Sequence, residues 1–137
     1  TRRGRKDAER MRAWMLAEHM DAMPELWISS PATRALETAE ILAGGANTTT
    51  EPRLYGAWPE DYVRIVHATP NEVTGVALVA HNPAISSFVR SLSGGVAAFP
   101  TLGTALYRLP TGWGRLELAQ PVVVMSPVQL PVPLGDR

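Results

Sequence analysis

The chain has 137 residues and a mass of 14.9 kDa, with thirteen basic and thirteen acidic side chains, 45% apolar residues and 19% charged ones. That length suits one domain able to bury roughly two-thirds of its unfolded surface, and the composition excludes wholesale disorder. A net charge of zero argues against a nucleic-acid binder that relies on a strong positive field.

The basic residues are twelve Arg and a single Lys, Lys6. There are no cysteines, so disulfides, thiol nucleophiles and Cys-ligated zinc are excluded. No run of about 18 apolar residues exists to span a membrane. The opening "TRRGRKDAERMR" lacks the apolar core of a signal peptide. It also lacks an initial Met, which suggests a processed or truncated chain.

In chain order, residues 4 to 20 read as a helix with Ala8, Met11 and Met15 on one stripe. Leu26-Trp27-Ile28 is a short apolar run that reads as a buried strand. Ser30 suits an N-cap and Pro31 a first helical residue. The helix then runs to Leu42 or Ala43, burying Ala35, Leu36, Ala39 and Leu42, and Gly44-Gly45 ends it. "NTTTEPRLYGA" reads as a loop with a short extended piece. Pro59, Glu60 and Asp61 open a third helix with acidic charge in its first turn. "GVALVA", residues 75 to 80, reads as a central parallel strand, apolar on both faces. After His81-Asn82-Pro83 comes a helix with Ile85, Phe88, Val89 and Leu92 at helical spacing, stopped by Gly94-Gly95. Residues 105 to 109, a turn at 110 to 112 and residues 116 to 118 read as a hairpin, and Val122 to Met125 as an edge strand.

Strand–helix alternation predicts an α/β fold: a mostly parallel sheet with helices on both faces and an antiparallel addition at the end. In such sheets ligands bind beyond the carboxyl ends of the strands. Two strand-to-helix junctions carry the polar residues there, Ser29-Ser30-Pro31 with Arg34, and His81-Asn82-Pro83. Arg34 sits near a helix N-terminus, where a cation works against the dipole unless an anion lies between them. The alternative for Arg34 is a surface pair with Glu37, worth a few tenths of a kcal/mol. For His81 the alternative is a helix cap. His19 and His67 each lie late in a helix and read as surface residues. Together the two junctions suggest phosphate.

The same residues resemble a known family. "ISSPATRALETAEIL" is similar to the S-S-P-x-x-R-A-x-x-T-A segment of the histidine phosphatase superfamily, and "LVAHNP" to its second signature. "TRRGRKDAERM", "PRLYGAWPEDYVRIV", "FPTLGTALYRL" and "MSPVQL" resemble the small bacterial branch typified by the SixA phosphohistidine phosphatases. The resemblance spans essentially the whole chain and implies a three-layer αβα sandwich, one domain over residues 1 to 137. It implies a cytoplasmic phosphatase in which a His attacks phosphorus, giving a phosphohistidine intermediate that water hydrolyses. By motif match Arg34 is a phosphate clamp, His81 the second His, and Asn82 a neighbour in the phosphate site. Glu60 and Asp61 are candidate proton donors, with first-turn helix acids as the alternative. Neither metal nor cofactor is implied.

The expected substrate is phosphohistidine on a signalling or phosphotransfer protein, with a small phosphate ester as the alternative and no nucleic-acid or membrane partner. The family's nucleophile lies in an R-H-G motif after its first strand, and these 137 residues contain no such triplet. The expectation is therefore a domain incomplete at its N-terminus, whose first strand and nucleophile lie upstream. These residues alone would not catalyse the reaction, and a phospho-ligand or protein-binding module is the reading if that segment is absent.

Overall fold

The computed structural model describes residues 2–55, 58–82, 84–93, 104–109, 112–118, 120–125 and 130. Helix α1 (Arg2–Glu18) precedes strand β1 (Leu26–Ser29), helix α2 (Thr33–Ala43) and strand β2 (Asn47–Thr50). Helix α3 (Pro59–His67), strand β3 (Val76–Val79) and helix α4 (Ala84–Ser93) follow, then strands β4 (Thr104–Arg108) and β5 (Gln120–Met125). The first three strands form a parallel sheet in the order β2-β1-β3, with Leu26 opposite both Asn47 and Val76.

Alternation along the strands builds two cores. Trp27, Ala77 and Val79 face α1 and α2, joining Ala8, Met11, Met15, Leu42 and Ala43. Ile28, Leu78 and Ala80 face the other way, toward Tyr62, Ile65, Val66 and Phe88 of α3 and α4. Side chains two apart on a strand share a face, so a four-residue strand serves both layers. The fold is thus α/β, with helices on both faces of a parallel sheet.

Two expectations change. Residues 116 to 118 do not form the second hairpin strand. Residues Trp113–Leu118 make 3₁₀ turns, with Arg115 outside helical geometry. The antiparallel partner of β4 is β5, pairing Thr104 with Met125 and Arg108 with Gln120. Leu116 goes into the second core instead, and the Trp113 indole N–H donates to the Val73 carbonyl at 3.0 Å. Helix α2 starts at Thr33 with Ala32 as its cap residue, so neither Ser30 nor Pro31 has the role expected. The Gly94-Gly95 stop lies outside the described residues.

Strand β3 is half-buried along its length. Among the described residues it is an edge strand, with β1 on one side only. The Gly75 carbonyl accepts from Leu26 N–H at 3.3 Å and the Val79 carbonyl from Ser30 N–H at 2.9 Å. In a parallel ladder, alternate residues bond to opposite sides. The backbone groups of Val76, Leu78 and Ala80 therefore point away from β1, into a groove of about 1000 Å³. Ile41 and Leu42 of α2 line one wall, Phe88 and Val89 of α4 another, and Leu106 of β4 the far side.

Candidate functional site

The carboxyl ends of β1 and β3 lie side by side, with Ser29 opposite Val79. That register brings the two polar junctions together across 51 residues of sequence. His81 Nε2 lies 2.8 Å from the Ser30 hydroxyl oxygen. Ser29 and Ser30 are both fully buried. The Ser29 hydroxyl donates to the Ser30 carbonyl at 2.8 Å, and the Ser30 hydroxyl accepts from Ala32 N–H at 3.3 Å. The serine hydroxyl that would have capped α2 is engaged by the histidine and the loop, which is why the helix begins later.

The His81 carbonyl accepts from Ile85 N–H at 2.9 Å, tying the junction to the first turn of α4. The Tyr55 ring approaches the imidazole edge-on, with centroids 5.9 Å apart. His81 remains half-buried and lines the groove, as do Arg34, Thr38 and Asn82. The Asn82 side-chain carbonyl accepts from the Ser86 hydroxyl.

Arg34 is the second residue of α2 and is exposed. The first turn of α2 contains no acidic residue and no side chain caps it. Among the described residues Arg34 has no ion pair, so the alternative of a surface pair with Glu37 is not made. A cation beside uncapped N–H groups is locally unfavourable and becomes favourable when an anion lies among them.

The two acids of α3 lie differently. Glu60 is exposed. Asp61 accepts from Trp58 N–H at 2.9 Å and sits 3.6 Å from Arg64, the part of an N-terminal helix acid. Neither lines the groove. His19 stacks edge-on to Trp14 at 4.8 Å, and His67 is exposed at the end of α3, both apart from the junctions.

The sequence reading missed Ser30 as the partner of His81 and Tyr55 as its neighbour. Ser30 could have been noticed as one of two successive hydroxyls beside a buried strand, but not its partner. Among the described residues no group of three His, Asp or Glu side chains is placed to hold a metal ion. No helix there is long and apolar enough to cross a membrane.

Comparisons with known proteins agree with this layout. The model of the histidine phosphatase superfamily (branch 1) matches residues 1–60. An uncharacterized protein of Mycobacterium leprae is 30% identical over 126 residues, spanning 85% of this chain and 77% of its own. A second, from Mycobacterium tuberculosis H37Rv, is also 30% identical, spanning 84% of this chain and 78% of its own. Among solved structures, a protein described as phosphohistidine phosphatase SixA from Nakamurella multipartitia superposes with a TM-score of 0.80 at 20% identity, over 93% of this chain and 84% of that one. The protein histidine phosphatase SixA complexed with tungstate gives a TM-score of 0.79 at 23% identity, over 96% of this chain and 85% of that one. The fold is that of these SixA structures, and with the signatures around Arg34 and His81 the chain belongs to the histidine phosphatase superfamily.

Proposed function

We propose that the protein is a phosphatase that removes the phosphoryl group from phosphohistidine on a partner protein through a covalent phosphohistidine intermediate. The observation that carries this reading is the meeting of His81 and the start of α2, with Arg34, at the carboxyl end of the parallel sheet. A phosphoryl group there would meet a guanidinium, an imidazole and helix N–H groups, the donors that phosphoryl transfer uses in place of a metal.

The nucleophilic His is expected on a segment outside these 137 residues that adds to the sheet along β3. Among the described residues β3 has an open edge, which supports that arrangement, since the N–H and C=O groups of Val76, Leu78 and Ala80 face the groove and buried backbone groups need partners. In the first step a nitrogen of that His forms a bond to phosphorus as the bond to the leaving imidazole nitrogen breaks. Arg34 and His81 hold the equatorial oxygens, and Asn82 borders the same site. Of the two candidate proton donors to the leaving nitrogen, Glu60 is preferred because the Asp61 carboxylate is engaged by Trp58 and Arg64, although neither lines the groove. Water then attacks the enzyme phosphohistidine and releases orthophosphate.

A protein-borne substrate is favoured over a small ester by the surface around the groove. Tyr55 and Trp58 are 69% and 74% exposed. Arg2, Arg3, Arg5 and Lys6 are exposed at the start of α1, and Arg5 lines the same groove as Arg34. Exposed aromatics and arginines are what protein interfaces use. The test is hydrolysis by the full-length protein of a phosphohistidine-bearing domain and of p-nitrophenyl phosphate, with mass spectrometry of the enzyme after an alkaline quench. Faster turnover of the phosphodomain with a base-stable, acid-labile phosphoenzyme is expected. Preference for the small ester would move the substrate assignment, and the absence of any phosphoenzyme would remove the covalent route. If the full-length protein held a non-histidine residue at the nucleophile position, the reading would become a phospho-ligand-binding module.

A further inference from the structure

The Ser30 side chain has two hydrogen-bond partners at the junction, Ala32 and His81. Its backbone N–H is fixed to the Val79 carbonyl at 2.9 Å, and its hydroxyl is fully buried. Ala32 N–H donates to that hydroxyl at 3.3 Å, which takes one lone pair. One proton and one lone pair remain, and either can be turned to the atom 2.8 Å away, His81 Nε2, as donor or as acceptor. With the ring also bordered by Tyr55, Nδ1 is the remaining polar atom of the imidazole that a ligand can meet.

We propose that Ser30 is a positioning residue that holds His81 with Nδ1–H turned toward the bound oxyanion. The inference rests on the phosphatase reading for its consequence, but not for its geometry. When His81 is charged, Nε2–H donates to Ser30 and Nδ1–H faces the anion. When His81 is neutral, the Ser30 hydroxyl donates to Nε2, and the ring's own proton is again on Nδ1. The ring nitrogen that carries the proton is set by the bond the other one makes. Both forms thus present a donor, and a phosphoryl oxygen meets N–H whichever form is present. Ser29 supports the arrangement by donating to the Ser30 carbonyl at 2.8 Å, which keeps that peptide oriented.

The test uses the full-length protein labelled with ¹⁵N-histidine and read by long-range ¹H–¹⁵N spectra at a pH where the ring is neutral. The native protein should show His81 as the Nδ1–H tautomer. Ser30→Ala should shift it toward Nε2–H and lower kcat on a phosphohistidine domain by about tenfold, the order of one lost hydrogen bond. KM should stay within about twofold, since the variant leaves substrate contacts in place. Ser30→Thr, which keeps a hydroxyl, should restore both the tautomer and most of kcat. Should Ser30→Ala fail to fold, Ser30→Cys carries the same readings, because a thiol is a weak donor of similar size. A folded Ser30→Ala or Ser30→Cys variant with the native His81 tautomer would overturn the proposal. If the tautomer moves as expected while the native protein hydrolyses no phosphoryl substrate, the phosphatase reading fails and the role of Ser30 stands.

Discussion

Arg34 and Tyr62 are two residues whose local energetics look unfavourable, and they are so for different reasons. Arg34 opposes the dipole of α2 at an uncapped N-terminus and has no ion pair among the described residues. An anion between guanidinium and helix would make that arrangement favourable, and on the proposed function Arg34→Ala should lower kcat/KM by about 2–4 kcal/mol, by analogy with removing an oxyanion-hole donor. Its melting temperature should be unchanged or slightly higher. Unchanged turnover would take Arg34 out of the site. Tyr62 is fully buried, stacked on Phe88 with centroids 4.9 Å apart, and its hydroxyl has no hydrogen-bond partner among the described residues. Burial, with the Asp61 charge adding to it, pushes its hydroxyl pKa up to about 12. Tyr62→Phe removes an unpaired polar atom and should be neutral or stabilising by about 1 kcal/mol. The sign with pH follows: the unfolded tyrosine ionises near pH 10 and the folded one near 12. Tyr62 therefore lowers stability as pH rises through that window, and chemical denaturation across it should show the loss in the native protein and less of it in Tyr62→Phe. Arg34 was legible in the sequence because a cation at a helix start is a local anomaly. The Ser30–His81 bond was not, since nothing local says which two junctions meet. It follows from the order β2-β1-β3, in which β3 returns beside β1.

At the scale of elements, the ends of β1, β3 and α2 are fixed by a few specific contacts. Helix α2 ends at Gly44, with φ of 56°, against the Arg12 guanidinium of α1. A side chain there would meet both the left-handed backbone and Arg12, so Gly44→Ala should cost about 1–3 kcal/mol in urea unfolding. A neutral outcome would mean that the Arg12 side chain swings aside and that the left-handed backbone costs little here. At the same, amino end of the sheet the Glu25 carboxylate accepts from the Thr74 N–H and hydroxyl, which tie the start of β1 to the start of β3. The Thr74 backbone and side-chain bonds, in that order, hold the Glu25 pKa below the usual range. A depressed carboxylate stabilises the fold above its unfolded pKa and loses that contribution as pH falls through the folded one. Glu25→Gln should thus be less stable at neutral pH, with the gap closing below about pH 4. The alternation of strand and helix was readable because "LWI" and "GVALVA" are apolar runs bounded by turn residues. The second hairpin strand was misplaced because Leu116-Glu117-Leu118 alternates like a strand over too few residues to fix a period. Burial of Leu116 and the bond from Trp113 to Val73 decide the 3₁₀ turns instead.

For the whole molecule, a net charge of zero conceals a local excess of cations. Four of the thirteen basic residues fall within the first six positions, with no acid in the first turn of α1. Because Arg5 borders the groove that holds Arg34 and His81, this cluster should attract an acidic phosphoprotein. Raising salt from 50 to 300 mM should then raise KM for a phosphodomain while leaving a small ester nearly unaffected, and Arg2→Glu with Arg3→Glu should act in the same direction. Equal salt sensitivity for both substrates would remove the cluster from recognition. The groove along β3 was foreshadowed by the strand that the family resemblance requires, and its walls could be located only once α2, α4 and β4 were in place.

The most direct measurement is the binding of tungstate, the oxyanion held in one of the SixA structures, to the full-length protein and to Arg34→Ala, followed by calorimetry and by the His81 ring signals. One-to-one binding that shifts the His81 signals and weakens at least about tenfold in Arg34→Ala, as loss of a charge-assisted bond implies, is the expected result. Equal affinity in the two proteins with unmoved His81 signals would contradict an oxyanion site between α2 and the end of β3.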